Sequence, residues 1–248
     1  MGYEESRIEG RNAVLEAFRS GKTIDKLYVL DGCQDGPVKS ITREARKHDT
    51  IINYVAKERL DQLSETGKHQ GVIAVSAAYE YAEVEDILAA AEEKGEAPFI
   101  IILDGIEDPH NLGAIIRTAN QAGAHGVIIP KRRAVGLTPT VARTSAGAIN
   151  YTPVAKVTNI SNTMKELKDK GMWFVCADMD GTRMYDLDLT GSIGLVIGNE
   201  GEGVSPLVKK NCDMVASIPM KGDIDSLNAS VATGVLAYEI VRQRMIKG

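Results

Sequence analysis

Two short loops near the C-terminal end carry most of the residue types that could do chemistry. The first is Gly198-Asn199-Glu200-Gly201-Glu202-Gly203, directly after the apolar run 193–197. The second runs from Pro219 to Asp225, after the apolar run 214–218, and leads to Ser226, Asn228 and Ser230. Short apolar runs that stop at Gly, Pro or polar residues predict buried parallel strands feeding loops. In open α/β sheets, ligands bind where such loops leave the carboxyl ends of the strands. The glycines fall as G-x-x-G-x-G rather than G-x-G-x-x-G, and a carboxylate at Glu200 would repel a pyrophosphate. That disfavours a dinucleotide cradle. Three glycines let a backbone approach a ligand closely, although a tight strand-to-helix turn would also explain them. Ser226 can cap a helix predicted to begin at Leu227, which puts Asn228 and Ser230 in its first turn. Capping explains Ser226 but not two strand–loop–helix units in succession, each with amides and hydroxyls at its mouth.

The elements that must position these loops read as an α/β pattern in two parts. In the N-terminal part, helices are predicted at 11–20, 37–48 and 57–64, and strands at 26–30, 51–55 and 72–75. The alternation predicts a small α/β domain, residues 1–78, with a largely parallel sheet. Residues 79–82 read as a linker, and 83–248 as a second domain. There, 84–94 is an acidic amphipathic helix and 99–103 an all-apolar strand. Pro109 suits the first turn of the next helix, which runs to Ala122 and stops at Gly123. A strand at 126–129, a short helix at 140–146, a helix–strand pair at 158–170 and 173–176, and the final helix 227–245 complete the pattern. The final helix has apolar residues on one face.

Composition narrows the class. The chain has 248 residues, 44% of them hydrophobic, and a net charge of −5. That suffices for a real core and does not advertise a nucleic-acid binder, although local basic patches are still possible. Lys131-Arg132-Arg133 is such a patch, set in a loop, where it is either a solvated face or a phosphate contact. No stretch of about eighteen uncharged apolar residues occurs, and the charged start M-G-Y-E-E-S-R lacks a signal core. No membrane partner and a cytoplasmic setting are expected. Cys33, Cys176 and Cys212 are widely spaced, and the four histidines show no ligand spacing. Neither a disulfide framework nor a metal site is expected.

With the segment D-G-I-E-D-P-H-N-L-G-A-I-I-R-T-A at 104–119, the two loops resemble, in order and spacing, the three motifs of the SpoU (TrmH-like) family of RNA 2′-O-ribose methyltransferases. The resemblance is close from about Phe99 onward and looser before it. It implies a ribosomal-protein-L30e-like N-terminal domain that binds RNA. It also implies a parallel-sheet SPOUT catalytic domain whose last helix is threaded into a trefoil knot, a rare exception to ordinary chain connections. The implied cofactor is S-adenosylmethionine, gripped around Leu195, Ile197, Gly198, Gly203, Ile218, Met220 and Leu227. A homodimer is implied as well.

Methyl transfer to a ribose hydroxyl needs in-line approach, loss of the hydroxyl proton and a held RNA backbone. By the resemblance, Arg117 engages a phosphate, and its place in the third turn of the helix that follows the strand 99–103 predicts a position at the sheet's carboxyl edge, beside the cofactor loops. A guanidinium holds its proton too firmly to act as a base, so clamping and charge stabilisation suit it better. Asn111 would orient a loop or the methionine tail. Glu200 would accept from Asn111, Arg117 or the hydroxyl, and Asn228 and Ser226 would fix the polar edge. Arg143 and Ser145, beside the T-S-A-G run, and Lys131, Arg132 and Arg133 are expected on the RNA side. So are Lys68, His69 and Gln70, which resemble the family's H-Q-G, though a solvated turn explains that loop about as well. The extra N-terminal domain favours rRNA over tRNA, and the branch of the family that the chain resembles implies a guanosine of 23S rRNA. A nucleotide-cofactor oxidoreductase lacks its fingerprint, and a non-catalytic RNA-binding protein would not need Asn111, Arg117, Glu200 and Asn228.

Overall fold

A computed structural model describes residues 7–199, 201–224 and 226–247. The chain divides into two compact units. One runs to residue 80 and includes 136–139; the other comprises 81–135 and everything from 140 on.

The first unit is a four-stranded sheet. Its strands are β1 (Arg7–Glu9), β2 (Ile24–Leu30), β3 (Ile51–Val55) and β4 (Val72–Ser76), in the order β1-β4-β2-β3. The expectation of a largely parallel sheet is corrected here. Only β2–β3 is parallel, while β4 runs antiparallel to both β2 and β1. The helix α2 (Gly36–Lys47) supplies the crossover that a parallel β2–β3 pair requires. α3 (Lys57–Leu63) instead returns the chain to the other side of β2. β1 was not anticipated, because three residues without an apolar run give no strand period. Helix α1 (Arg11–Arg19) buries Val14, Ala17 and Phe18, and α2 buries Val38, Ile41 and Ala45, on one core with Leu27, Val29 and Ala74. Glu9 accepts from the hydroxyls of Ser64 and Thr66 (2.5 and 2.6 Å) and from two backbone amides. Burial would raise its pKa, but these donors win and push it down to about 2, as expected for a carboxylate held by several N–H and O–H groups.

The second unit is a six-stranded, wholly parallel sheet. Its strands are β5 (Phe99–Asp104), β6 (Gly126–Pro130), β7 (Val154–Val157), β8 (Trp173–Arg183), β9 (Ile193–Gly198) and β10 (Met214–Ser217), in the order β10-β8-β9-β5-β6-β7. β5 lies between β9 and β6 with Phe99 to Leu103 buried. Such a strand must be apolar on both faces, which is why F-I-I-I-L lacks alternation. On one face Ile100, Ile102, Phe174 and Val196 pack with Ile87 of α4 (Val84–Lys94) and Met164 of α7 (Ile160–Asp169). Gly194 makes room for the Phe174 ring, which a Cβ there would strike. α5 (Pro109–Gln121) and α9 (Ala229–Lys247) pack against each other, and α9 also meets β9. β8 is longer than the predicted 173–176. Its pairing with β10 breaks between Val215 and Ala216, so Met214 and Val215 pair with Val175 and Cys176, but Ala216 and Ser217 with Thr182 and Arg183. The residues skipped, 177–181, are therefore free to bulge from the ladder.

Candidate active site

The carboxyl ends of β10, β8 and β9, three neighbours in the sheet, open into one cleft of about 480 Å³. That falls within the range that holds small molecules, roughly 300–1,000 Å³. Its walls come from residues 177–180 of β8, the loop after β9, the chain after β10, and the start of α9.

The loop after β9 closes on itself. Asn199 and Gly203 exchange two backbone hydrogen bonds, 3.2 and 2.8 Å, with Gly203 at φ +68°. The Asn199 side chain accepts from the Gly201 amide (2.7 Å) and donates to the Gly105 carbonyl (3.0 Å). Asp104 receives the Ser205 amide at 2.8 Å. A Cβ on Gly198 would fall inside the backbone of Gly203 and Val204. Gly198 therefore serves closure of the loop before it serves approach to any ligand.

The start of α9 differs from expectation. Ser226 is not the cap, and Leu227 is not helical. The helix begins at Ala229, and the cap is Asn228, whose Oδ1 accepts the Ser230 amide (3.0 Å) and hydroxyl (2.6 Å). That satisfies a donor with no partner inside the helix. The Asn228 Nδ2 donates to Oδ1 of the buried Asn111 at 3.0 Å. Asn111 lies in the first turn of α5, capped by Asp108, which accepts the His110 amide at 2.9 Å. One amide pair thus ties the third-motif loop to the first-motif helix across 117 residues of sequence.

Of the expected cofactor contacts, Ile197, Gly198, Gly203, Ile218, Met220 and Leu227 line the cleft, and exposed Ser226 joins them. Leu195 does not. It is fully buried in mid-strand, its backbone in register with Ile101 and Val175. The walls missed from sequence are Ala177, Asp178, Met179 and Asp180, Asn199 and Glu202, and Ala216, Ala229 and Ala232. The Lys209 ammonium lies 2.6 Å from Asp178 and holds its carboxyl below the usual range. Glu200 lies outside the described residues.

Arg117 is not where expected. α5 starts at the sheet's carboxyl edge and runs back from it. Eight residues beyond Pro109, at about 1.5 Å each, put Arg117 roughly 12 Å from that edge. It is exposed, outside the cleft lining, and without a hydrogen bond or ion pair among the described residues. Six residues separate it from Asn111, which turns it about 120° round the helix. The structure does not bring the two side chains together.

The expected RNA contacts divide. The Arg132 and Arg133 side chains are exposed. The loop carrying Lys131, Arg132 and Arg133 meets the carboxyl edge at Gly105, around which the Arg133 carbonyl and Asn199 converge. Arg143 is exposed, with a bond to the Thr140 hydroxyl (3.3 Å). Ser145 is fully buried and donates to the Ala142 carbonyl (2.9 Å), so its role as an RNA contact is withdrawn. The same run helps to pack α5: a Cβ on Gly113 would strike Thr144. Lys68 is exposed. His69 is corrected too, being buried, with Nδ1 accepting the Gly71 amide (3.0 Å) and Nε2 on Asp61 (2.9 Å). Gln70 is exposed but engaged, holding the Arg11 amide (3.2 Å) and side chain (3.1 Å) at the start of α1.

Among the described residues, no helix is long and apolar enough to cross a membrane, and no group of three His, Cys, Asp or Glu could hold a metal ion. Residues 98–238 match the SpoU rRNA Methylase family, and residues 7–82 match RNA 2′-O ribose methyltransferase substrate binding. A Bacillus subtilis protein named YacO, described as of the TrmH family of tRNA/rRNA methyltransferases, is 48% identical over 98% of both chains. A Staphylococcus saprophyticus protein with the same family description is 46% identical over 97% of both. Among solved structures, the SpoU methyltransferase AviRb from Streptomyces viridochromogenes, in complex with AdoMet, is similar with a TM-score of 0.62. It is 27% identical, over 98% of this chain and 92% of that one. The chain belongs to the SpoU/TrmH family and is an RNA methyltransferase.

Proposed function

We propose that this protein transfers the methyl group of S-adenosylmethionine to a ribose 2′-hydroxyl of RNA, a guanosine of 23S rRNA, in the cytoplasm. The observation that carries this reading is the cleft at the ends of β10, β8 and β9, whose lining fits the cofactor. Ile197, Ile218, Met220 and Leu227 offer an apolar slot for adenine, and Asn199 and Ser226 supply polar groups for ribose and the amino-acid tail. AviRb, solved with AdoMet, shares the fold at 27% identity. The bound cofactor supplies an electrophilic methyl on a sulfonium. The chain's part is to orient it and exclude water, and the Asn111–Asn228 pair fixes the helix ends that border the start of α9. Arg117, exposed and unpaired among the described residues, is suited to clamp an RNA phosphate bidentately from outside the cleft. The basic loop 131–133 adds phosphate contacts at the carboxyl edge.

The proposal extends to organisation. Residues 1–78 bind the RNA, 79–82 link, and 83–248 carry the transferase, with the chain threaded as a trefoil knot by α9. The protein pairs as a homodimer through α5 and α9. Along α9, Val231, Tyr238 and Met245 are half or more exposed, at intervals of seven residues, an apolar stripe suited to a partner helix. Light scattering giving a monomer mass at micromolar concentration would reject the dimer. The alternative substrate is tRNA, since the relatives are described as tRNA/rRNA methyltransferases. Incubating the purified protein with tritiated S-adenosylmethionine and either rRNA or tRNA tests the reading. Label in 2′-O-methylguanosine of rRNA supports it, and label in neither RNA rejects it.

A further inference from the structure

The cleft lining is one-sided in charge. Asp178, Asp180 and Glu202 all line it, and no Lys or Arg does among the described residues. Lys209, the partner of Asp178, reaches it from α8 (Pro206–Asn211) and is not itself part of the lining. Among the described residues neither Asp180 nor Glu202 forms an ion pair; Asp180 acts on Lys209 only through space, as a minor contributor after Asp178. Asp180 and Asp178 are fixed relative to each other, since Asp178 accepts the Asp180 amide at 3.1 Å. The wall that carries them is held to β10 by the Ser217 hydroxyl, which donates to the Gly181 carbonyl at 2.9 Å.

We propose that these carboxylates make the cleft selective by charge, favouring the cationic methyl donor over the neutral product of transfer. The inference rests on the cofactor reading above. In the reaction the sulfonium C–S bond breaks, its electron pair stays on sulfur, and a C–O bond forms at O2′. The hydroxyl proton leaves to solvent. The ligand therefore loses one positive charge while its shape hardly changes. Walls that only grip adenine, ribose and the amino-acid tail would hold donor and product alike. Carboxylates facing the sulfur end distinguish them, because Coulomb attraction acts on the sulfonium and not on the thioether. Such walls bind the donor and release the product, which relieves product inhibition. Asp178, already neutralised by Lys209, acts mainly as the anchor of the wall. Asp180 and Glu202 carry most of the selectivity.

The test is calorimetric binding of S-adenosylmethionine and S-adenosylhomocysteine to the full-length wild type, Asp180→Asn, Glu202→Gln and the double variant. The double variant is expected to bind the donor about tenfold more weakly and to hold the product at near wild-type affinity, which also reports an intact cleft. Product inhibition of methyl transfer should deepen in parallel. An unchanged donor-to-product ratio overturns the proposal, and so does equal weakening of both ligands, which would mark a structural role. A wild type that binds neither ligand rejects the cofactor reading itself, and this inference with it.

Discussion

Replacing Asn228 separates two jobs that one side chain performs. Its Oδ1 caps α9, and its Nδ2 donates to buried Asn111. Asn228→Ala removes both. Loss of an N-cap costs about 1 kcal/mol. Depriving a buried carbonyl of a donor costs about 1–3 kcal/mol, nearer the lower figure here because Asn111 has a further interaction. The sum is about 2–3 kcal/mol, which in a chain of this size lowers Tm by roughly 4–12 °C. Asn228→Asp keeps the cap acceptor and loses the donor, so it should recover about half of that. Thermal melting of the three proteins by circular dichroism gives the comparison, with methyl transfer measured on the same samples. An Ala variant that melts within a degree of wild type would refute the structural role of the amide bridge. Loss of transfer in that same variant would make Asn228 a purely chemical group.

Gly198→Ala should destabilise the protein and abolish cofactor binding together, because its Cβ meets loop backbone. Ala232→Leu should block the cleft while leaving melting nearly unchanged; calorimetry and melting on both variants decide. His125 is buried between the Phe99 amide (3.0 Å) and Glu96 (3.1 Å), and burial holds its pKa below 6.5. As pH falls through about 6.5 the unfolded chain binds a proton that the folded one refuses. Stability should then drop by up to about 1.4 kcal/mol per pH unit until the folded form also protonates. His125→Gln should flatten that slope in urea titrations between pH 7 and 5, and an equal slope in both proteins would contradict it. Arg117→Ala should abolish transfer with cofactor affinity intact, and Arg117→Lys should be severely impaired for want of the guanidinium fork. A Lys variant equal to wild type would mean that charge alone matters, and an active Ala variant would remove Arg117 from the mechanism.

How much of this was legible in the sequence depends on the kind of signal each part leaves. β5 could be read because a strand buried on both faces must be continuously apolar. The cleft-forming loops after β9 and β10 could be read because Gly, Asn and Pro end those strands abruptly. The wall at 177–180 could not. A-D-M-D-G looks like a loop, and only the register shift against β10 carries β8 beyond it. The cap of α9 was misassigned because S-L-N offers two capping residues two positions apart. The choice falls to Asn228, whose Oδ1 accepts the Ser230 amide while its Nδ2 donates to Asn111. His69 and Ser145 were read as surface polar groups because burial of a polar side chain depends on partners that local sequence does not name. Arg117 was set at the wrong height by counting from the strand and not along the returning helix.

The most direct measurement is a map of 2′-O-methylated nucleotides across 23S rRNA and tRNA from cells with and without the gene. The account predicts that one guanosine of 23S rRNA loses its ribose methyl when the gene is removed and regains it with the wild-type protein but not with Arg117→Ala. An identical methylation profile at every position of both RNAs would contradict it.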